Sequence, residues 1–178
     1  FVSLFNQKAR LWVRGRVGWE KELSLKLYGN KSKIIWIHSA SLGEFEQGRT
    51  LIESIRKTYP SYKILVSFFS PSGYEVRKNY AGVDYVFYLP MDSKKNARIF
   101  IDAIQPSLAI FIKYDLWYHY LNTLNRKKIP SILISAIILP SQAYFGIFGK
   151  PGGSKSVFGK SMMVEPNVVP NITDNKFK

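Results

Sequence analysis

The sequence contains no cysteine, and His38 and His119 are its two histidines. Without cysteine the chain has no disulfide, no thiol nucleophile and no thiolate metal ligand. Two histidines are too few for a histidine-rich metal site. We expect no resident cofactor. No apolar run reaches the roughly 18–20 residues of a membrane-spanning helix, and no signal peptide pattern is present.

Several catalytic fingerprints are also missing. The glycine patterns GxGxxG and GxxxxGK[ST] do not occur, which removes the usual signals for dinucleotide and P-loop binding. The nucleophile elbow GxSxG is absent as well, so a serine hydrolase triad has no support. Carboxylate acid–base chemistry remains as the class that the sequence can supply.

Positive charge is abundant, with 26 lysines and arginines against 12 acidic residues and a net charge of +14. Such a surface attracts nucleic acid, anionic lipid or a phosphorylated substrate. Residues 1–33 hold eight of the basic residues together with Trp12 and Trp19. This segment fits a membrane-proximal arm, a single-strand nucleic-acid contact or a solvated basic arm with a few core anchors. Because the chain begins with Phe1, we also expect it to be a fragment.

From residue 34 the pattern becomes regular. Continuous apolar runs alternate with segments of helical periodicity, and the runs lie at 34–38, 63–69, 85–89, 108–112 and 131–135. This alternation predicts an α/β domain, a doubly wound, Rossmann-like parallel sheet over residues 34–148. Residues 149–178 lack a sustained period and are rich in Gly, Pro and Asn, so we predict an irregular tail.

Ligands of such sheets bind beyond the carboxyl ends of the strands. The turn after the first strand carries Ser39, Ser41 and Gly43, and Glu44 stands where the next helix begins. Glu44 is either a general base or a carboxylate that complements the helix dipole. The serines and the glycine form the turn first, and contact a ligand second.

The other predicted strand ends repeat this composition. Lys113 and Asp115 follow the fourth run, where they are either site residues or an ion pair with each other. His38 is either a hydrogen-bonded core histidine or a site residue. Further polar candidates at these ends are Ser70, Ser72, Gly73, Ser141 and Gln142.

An ordered set of motifs carries a family resemblance over residues 9–148. The motifs are WIHSASLGEFEQGR (36–49), ILVSFFSPSG (64–73), YLPMD (88–92), KYDLW (113–117) and SAIILPSQ (135–142). Together they resemble the N-terminal domain of the 3-deoxy-D-manno-octulosonic acid (Kdo) transferases of lipopolysaccharide synthesis. The resemblance implies the N-terminal half of a two-domain GT-B glycosyltransferase that transfers Kdo from CMP-Kdo to a lipid A precursor, without a metal, at the cytoplasmic face of the inner membrane.

The resemblance also implies residue roles. Glu44 is similar to the family's catalytic base, and the N-terminal domain is expected to bind the acceptor while a C-terminal domain binds the donor. The implied acceptor-binding residues are Ser39, Ser41, Gly43, Ser70, Ser72, Gly73, Lys113, Asp115, Ser141 and Gln142.

Three departures from the family pattern matter. Asp115 stands where the family usually has Glu, and Leu139 stands where it usually has Arg. The sequence ends before any C-terminal donor domain, so we expect the 178-residue chain to be inactive by itself. The competing interpretation is a basic module without catalysis that binds nucleic acid or a membrane surface; nucleic acid is disfavoured because carboxylates at the strand ends repel phosphates.

Overall fold

The computed structural model describes residues 6–112, 117–134 and 162–164. Its strands are β1 (Ile34–Ser39), β2 (Lys63–Phe68), β3 (Tyr85–Tyr88), β4 (Pro106–Ile112), β5 (Ser131–Ile134) and β6 (Met162–Val164). Its helices are α1 (Gln7–Arg14), α2 (Trp19–Leu27), α3 (Leu42–Thr58), α4 (Pro71–Arg77), α5 (Lys94–Ile104) and α6 (Tyr118–Arg126).

All strand pairs are parallel, and the order across the sheet is β3-β2-β1-β4-β5-β6. The predicted doubly wound α/β fold is confirmed, and β1 to β5 coincide with the five apolar runs. The pattern did not predict β6, which lies within the segment expected to be irregular and pairs with β5. The strand order reverses between β1 and β4, which creates a crevice outside their carboxyl ends.

Both faces of the sheet are covered, which explains why the strands are apolar throughout. On one face Trp36 packs among side chains of α2, α5 and α6, and on the other Ile35 and Ile37 pack under α3. Consecutive strand residues point to opposite faces, so each strand needs apolar side chains at both parities. The buried residues of α3 and α5 recur at the spacing of an amphipathic helix.

The basic N-terminal segment is anchored to this core. Leu23 of α2 is 1% exposed, and the ring of Trp19 lies 6.2 Å from that of Phe100. By contrast, α1 has no buried residue. Within the described part of the chain, no helix combines the length and apolarity that crossing a membrane requires.

Candidate functional site

The turn between β1 and α3 places a carboxylate at the carboxyl end of β1. Ser41 is the N-cap of α3, and Glu44 is the third residue of the helix. The Glu44 Oε2 atom accepts hydrogen bonds from the backbone N–H groups of Ala40 at 2.5 Å and Ser41 at 3.3 Å. This is a capping-box arrangement, a more specific structural role than the complement to the helix dipole that the sequence suggested. It also fixes the carboxylate beside the crevice between β1 and β4.

Ser39 and Gly43 differ sharply in their surroundings. Ser39 is fully buried, and its hydroxyl has no hydrogen-bond partner among the described residues. Gly43 is exposed, and a Cβ atom added there would meet no described atom within 4 Å. The first turn of α3 is therefore accessible at Gly43, whereas Ser39 belongs to the interior beneath it.

The turn after β2 lies next to the turn after β1, because the Ser70 N–H donates to the Ala40 carbonyl oxygen at 2.8 Å. Ser70 caps α4 through the N–H of Ser72, and the two hydroxyl oxygens are 2.9 Å apart. A Cβ atom at Gly73 would lie 2.2 Å from the Phe68 ring. Packing on Phe68 therefore explains the glycine, while the two serines stay at the crevice edge.

A buried histidine lies under this edge. The Nδ1 atom of His38 is 3.1 Å from the carbonyl oxygen and 2.9 Å from the hydroxyl of Ser67, and that hydroxyl accepts from the Trp36 indole N–H. Because a carbonyl oxygen only accepts, this geometry favours a proton on Nδ1. Burial lowers the pKa of His38 from 6.5 to about 3, so the ring is neutral at pH 7. The core interpretation of His38 fits these contacts.

The histidine ring also contacts Trp117, with ring centroids 4.9 Å apart. Both His38 Nε2 and Trp117 Nε1 are buried, and neither has a hydrogen-bond partner in the described part of the chain. Trp117 in turn packs on Phe69, with centroids 4.8 Å apart. The side chains of His38, Trp117 and Phe69 thus form a largely aromatic floor beneath this edge.

Asp92, in the loop after β3, reaches the start of α6. Its carboxylate oxygens accept from the His119 backbone N–H at 3.0 and 3.3 Å, and the Tyr120 hydroxyl donates to the Pro90 carbonyl oxygen at 3.0 Å. Burial raises the pKa of Asp92, although hydrogen bonds from the first N–H groups of α6 oppose that effect. The neighbouring residue Ser93 caps α5.

Arg16 also lies at this edge, although none of the quoted motifs includes it. Its guanidinium donates to the Phe69 and Leu89 carbonyl oxygens, which directly follow β2 and β3. Neither Arg16 nor Asp92 has a local sequence signal for these contacts, because their partners lie 73 and 27 residues away.

Other predicted site residues, namely Lys113, Asp115, Ser141 and Gln142, lie outside the described residues. Lys113 and Asp115 follow β4 in sequence, and β4 forms the other side of the crevice. Among the described residues, no group of three or more His, Asp or Glu side chains is arranged to hold a metal ion.

Comparison with known proteins adds an independent line of evidence. Residues 13–149 match the family model described as 3-deoxy-D-manno-octulosonic-acid transferase (kdotransferase). The 3-deoxy-D-manno-octulosonic acid transferase of Haemophilus influenzae is 30% identical over 66% of this chain and 29% of its own length. That of Rickettsia felis is 36% identical over 47% of this chain and 18% of its own length.

A bifunctional glycosyltransferase/methyltransferase of Fusobacterium nucleatum is 30% identical over 58% of this chain and 17% of its own length. The chain therefore spans less than a third of the length of these relatives. The family model matches 137 of the 178 residues and includes every described element from β1 to β5. On this evidence the chain belongs to the 3-deoxy-D-manno-octulosonic acid transferase family, of which it carries the N-terminal part.

Proposed function

We propose that this chain is the acceptor-binding part of a glycosyltransferase that transfers Kdo from CMP-Kdo to a lipid A precursor. The observation that carries the proposal is the position of Glu44 beside the crevice between β1 and β4, inside the region matched by the family. An open parallel sheet binds ligands at this reversal of strand order. Basic side chains would draw the anionic acceptor and donor towards it.

In the proposed reaction Glu44 is the general base. Its carboxylate takes the proton of an acceptor sugar hydroxyl while the hydroxyl oxygen attacks the anomeric carbon of Kdo, and CMP leaves with the bonding electron pair. The hydrogen bonds from Ala40 and Ser41 hold the carboxylate in one orientation. A general base positioned in this way contributes on the order of 10²–10⁴ to the rate.

Polar groups around the crevice would hold the acceptor. Ser41, Ser70 and Ser72 offer hydroxyls, and Gly43 leaves the first turn of α3 open for the approach of a sugar ring. The same role is proposed for Lys113, Asp115, Ser141 and Gln142. Ser39 is fully buried beneath the turn, so it is not proposed as an acceptor contact.

The N-terminal segment supports a peripheral position on the inner membrane at its cytoplasmic face. Val17 is 77% and Tyr28 91% exposed, and Val13 and Leu25 are exposed as well. Apolar side chains among lysines and arginines suit the interface of an anionic bilayer. This position would present the crevice to an acceptor whose acyl chains stay in the membrane.

The proposed function is tested by transfer of Kdo from CMP-Kdo to a lipid A precursor. Residues 1–148 would be joined to the remaining part of the Haemophilus influenzae relative, since we expect no transfer from the 178-residue chain alone. The fusion should transfer Kdo, and Glu44→Gln should lower its kcat by roughly 10²-fold or more, because the amide keeps the shape but cannot accept the proton.

Glu53→Gln is the matched control, because Glu53 lies on the exposed side of α3 and carries the same charge. It should leave kcat unchanged. Undiminished Kdo transfer by the Glu44→Gln fusion would rule out Glu44 as the general base. Kdo transfer by the unfused 178-residue chain would rule out that transfer depends on a second domain.

A further inference from the structure

The guanidinium of Arg16 joins the N-terminal segment to two strand ends. Its Nε donates to the Leu89 carbonyl oxygen at 2.9 Å, and its Nη2 donates to the Phe69 carbonyl oxygen at 2.7 Å. A third hydrogen bond runs from Nη1 to the carbonyl oxygen of Trp12 in α1, at 2.9 Å. One side chain therefore ties α1 to the ends of β2 and β3.

Aromatic rings surround the same group. The guanidinium carbon lies 4.3 Å from the ring centroid of Trp12, 4.5 Å from that of Phe69 and 5.1 Å from that of Tyr88. Among the described ion pairs none involves Arg16, so carbonyl dipoles and ring faces stabilise its charge. Burial lowers its pKa to about 10, which leaves the side chain charged at pH 7.

Gly15 shows that this contact is closely fitted. A Cβ atom at Gly15 would lie 2.2 Å from the Tyr88 ring, so the backbone at the end of α1 approaches β3 as closely as only glycine permits. The planar guanidinium of Arg16 donates to carbonyl oxygens after two strands and also stacks on the aromatic rings, which the compact ammonium of lysine cannot do. These contacts, together with the close approach at Gly15, fix the position of the Arg16 side chain.

The two clamped carbonyls belong to residues that lie one and three positions before residues with roles in the candidate site. Phe69 is followed by Ser70, the cap of α4, and by Ser72, both proposed as acceptor contacts. Leu89 leads to Asp92, which holds the first turn of α6. Any shift of these strand ends would therefore move both loops.

Building on the proposed function, we propose that Arg16 is a positioning residue of the acceptor site: by clamping the ends of β2 and β3 it sets the spacing of the loops that receive the acceptor. The N-terminal segment then has a role in acceptor recognition beyond its contact with the membrane. Gly15 shares this role by permitting the approach.

The test compares Arg16→Met and Arg16→Lys with Arg14→Met in the 178-residue chain. Arg14 is exposed in the last turn of α1, so its replacement removes the same charge without touching the clamp. The first readout is amide hydrogen exchange. Exchange of the Ser70 and Leu89 amides should rise about tenfold or more in both Arg16 variants, because hydrogen bonds from a charged donor are lost, and should stay unchanged in Arg14→Met.

The second readout is binding to vesicles that contain a lipid A precursor and to phosphatidylglycerol vesicles of equal charge. The Arg16 variants should lose selectivity for the lipid A precursor, whereas Arg14→Met should weaken both bindings equally. Equal effects of Arg14→Met and Arg16→Met on exchange and selectivity would overturn the proposal.

Gly15→Ala keeps every charge and should reproduce the faster amide exchange and the lost selectivity of the Arg16 variants. It replaces Arg16→Met in the test if that variant does not fold. Unchanged exchange of the Ser70 and Leu89 amides in both Arg16→Lys and Gly15→Ala would also overturn the proposal. If the unmodified chain shows no selectivity for the lipid A precursor, the proposed function fails, but the exchange measurement still decides whether Arg16 positions the loops.

Discussion

At the scale of single residues, polar groups next to the crevice fall into two kinds. The carboxylates of Glu44 and Asp92 accept hydrogen bonds from backbone N–H groups at the N-termini of helices, and these hydrogen bonds fix their orientation. His38 and Ser39 are buried in the sheet, and each has a polar atom with no hydrogen-bond partner among the described residues. Buried polar atoms are usually paired, so these two residues differ from the hydrogen-bonded carboxylates of Glu44 and Asp92.

His38 gives a pH prediction. Because burial lowers its pKa to about 3, the folded protein holds the ring neutral while the unfolded chain protonates it near pH 6.5. The unfolded state therefore binds more protons below pH 6.5, and the free energy of unfolding should fall as the pH falls from 6.5 towards 3, by up to about 1.4 kcal/mol per pH unit.

The measurement is a ¹⁵N NMR titration of the imidazole signals, assigned with a His119→Gln variant. We expect the His38 ring to stay neutral, with its proton on Nδ1, from pH 7.5 down to pH 5. Protonation of His38 in the folded protein at pH 6 would show that the ring is not desolvated as described.

At the scale of elements, an ion-pair cluster around Asp84 stabilises the amino end of the sheet. Asp84, just before β3, pairs with Arg56 of α3, accepts from Lys63 Nζ at 2.8 Å and accepts from the Ile64 N–H at 2.8 Å. Burial alone would raise the pKa of Asp84, but these hydrogen bonds outweigh it and lower the pKa. The cluster lies at the opposite end of the strands from Glu44, so it stabilises the fold without touching the candidate site.

We predict that Asp84→Asn lowers the free energy of unfolding at pH 7 by about 1–3 kcal/mol, since it leaves two cations with a neutral partner. With a lowered carboxyl pKa, the stabilisation is present above the unfolded pKa near 3.8 and is lost as the pH falls through the folded value. Urea unfolding between pH 7 and pH 3 should therefore show a smaller acid loss in the variant.

Asp102→Asn is the matched control, because the pair of Asp102 with Lys127 is exposed at the surface. Its effect should stay within about 0.5 kcal/mol. An Asp84→Asn variant as stable as Asp102→Asn at pH 7 would contradict the role assigned to the cluster.

Elements were predictable from sequence where a local pattern determines them. The strands β1 to β5 follow from apolar runs, and the capping of α3 follows from Ser41 and Glu44 three residues apart. The contacts of Arg16 and Asp92 were not predictable, because each joins residues far apart in sequence and no local period records them. β6 was missed because a three-residue strand is too short to show any period.

At the scale of the whole molecule, the basic charge, the anchored N-terminal segment and the crevice between β1 and β4 are all compatible with the proposed function. Under the proposed function, the charge of +14 would draw the protein to an anionic membrane surface, and the exposed apolar side chains of residues 13–28 would enter the bilayer interface. Charge alone is shared with nucleic-acid-binding proteins. What distinguishes an acceptor-binding domain is selectivity among polyanions.

The central claim, that this chain binds the acceptor of Kdo transfer, is tested most directly by equilibrium binding of the 178-residue chain at physiological salt. Its ligands would be vesicles containing a lipid A precursor, phosphatidylglycerol vesicles of equal charge and a single-stranded oligonucleotide. We predict a dissociation constant for the lipid A precursor at least about tenfold lower than for either alternative, or about 1.4 kcal/mol of selectivity. Equal affinity for all three ligands, or tighter binding of the oligonucleotide, would contradict the claim.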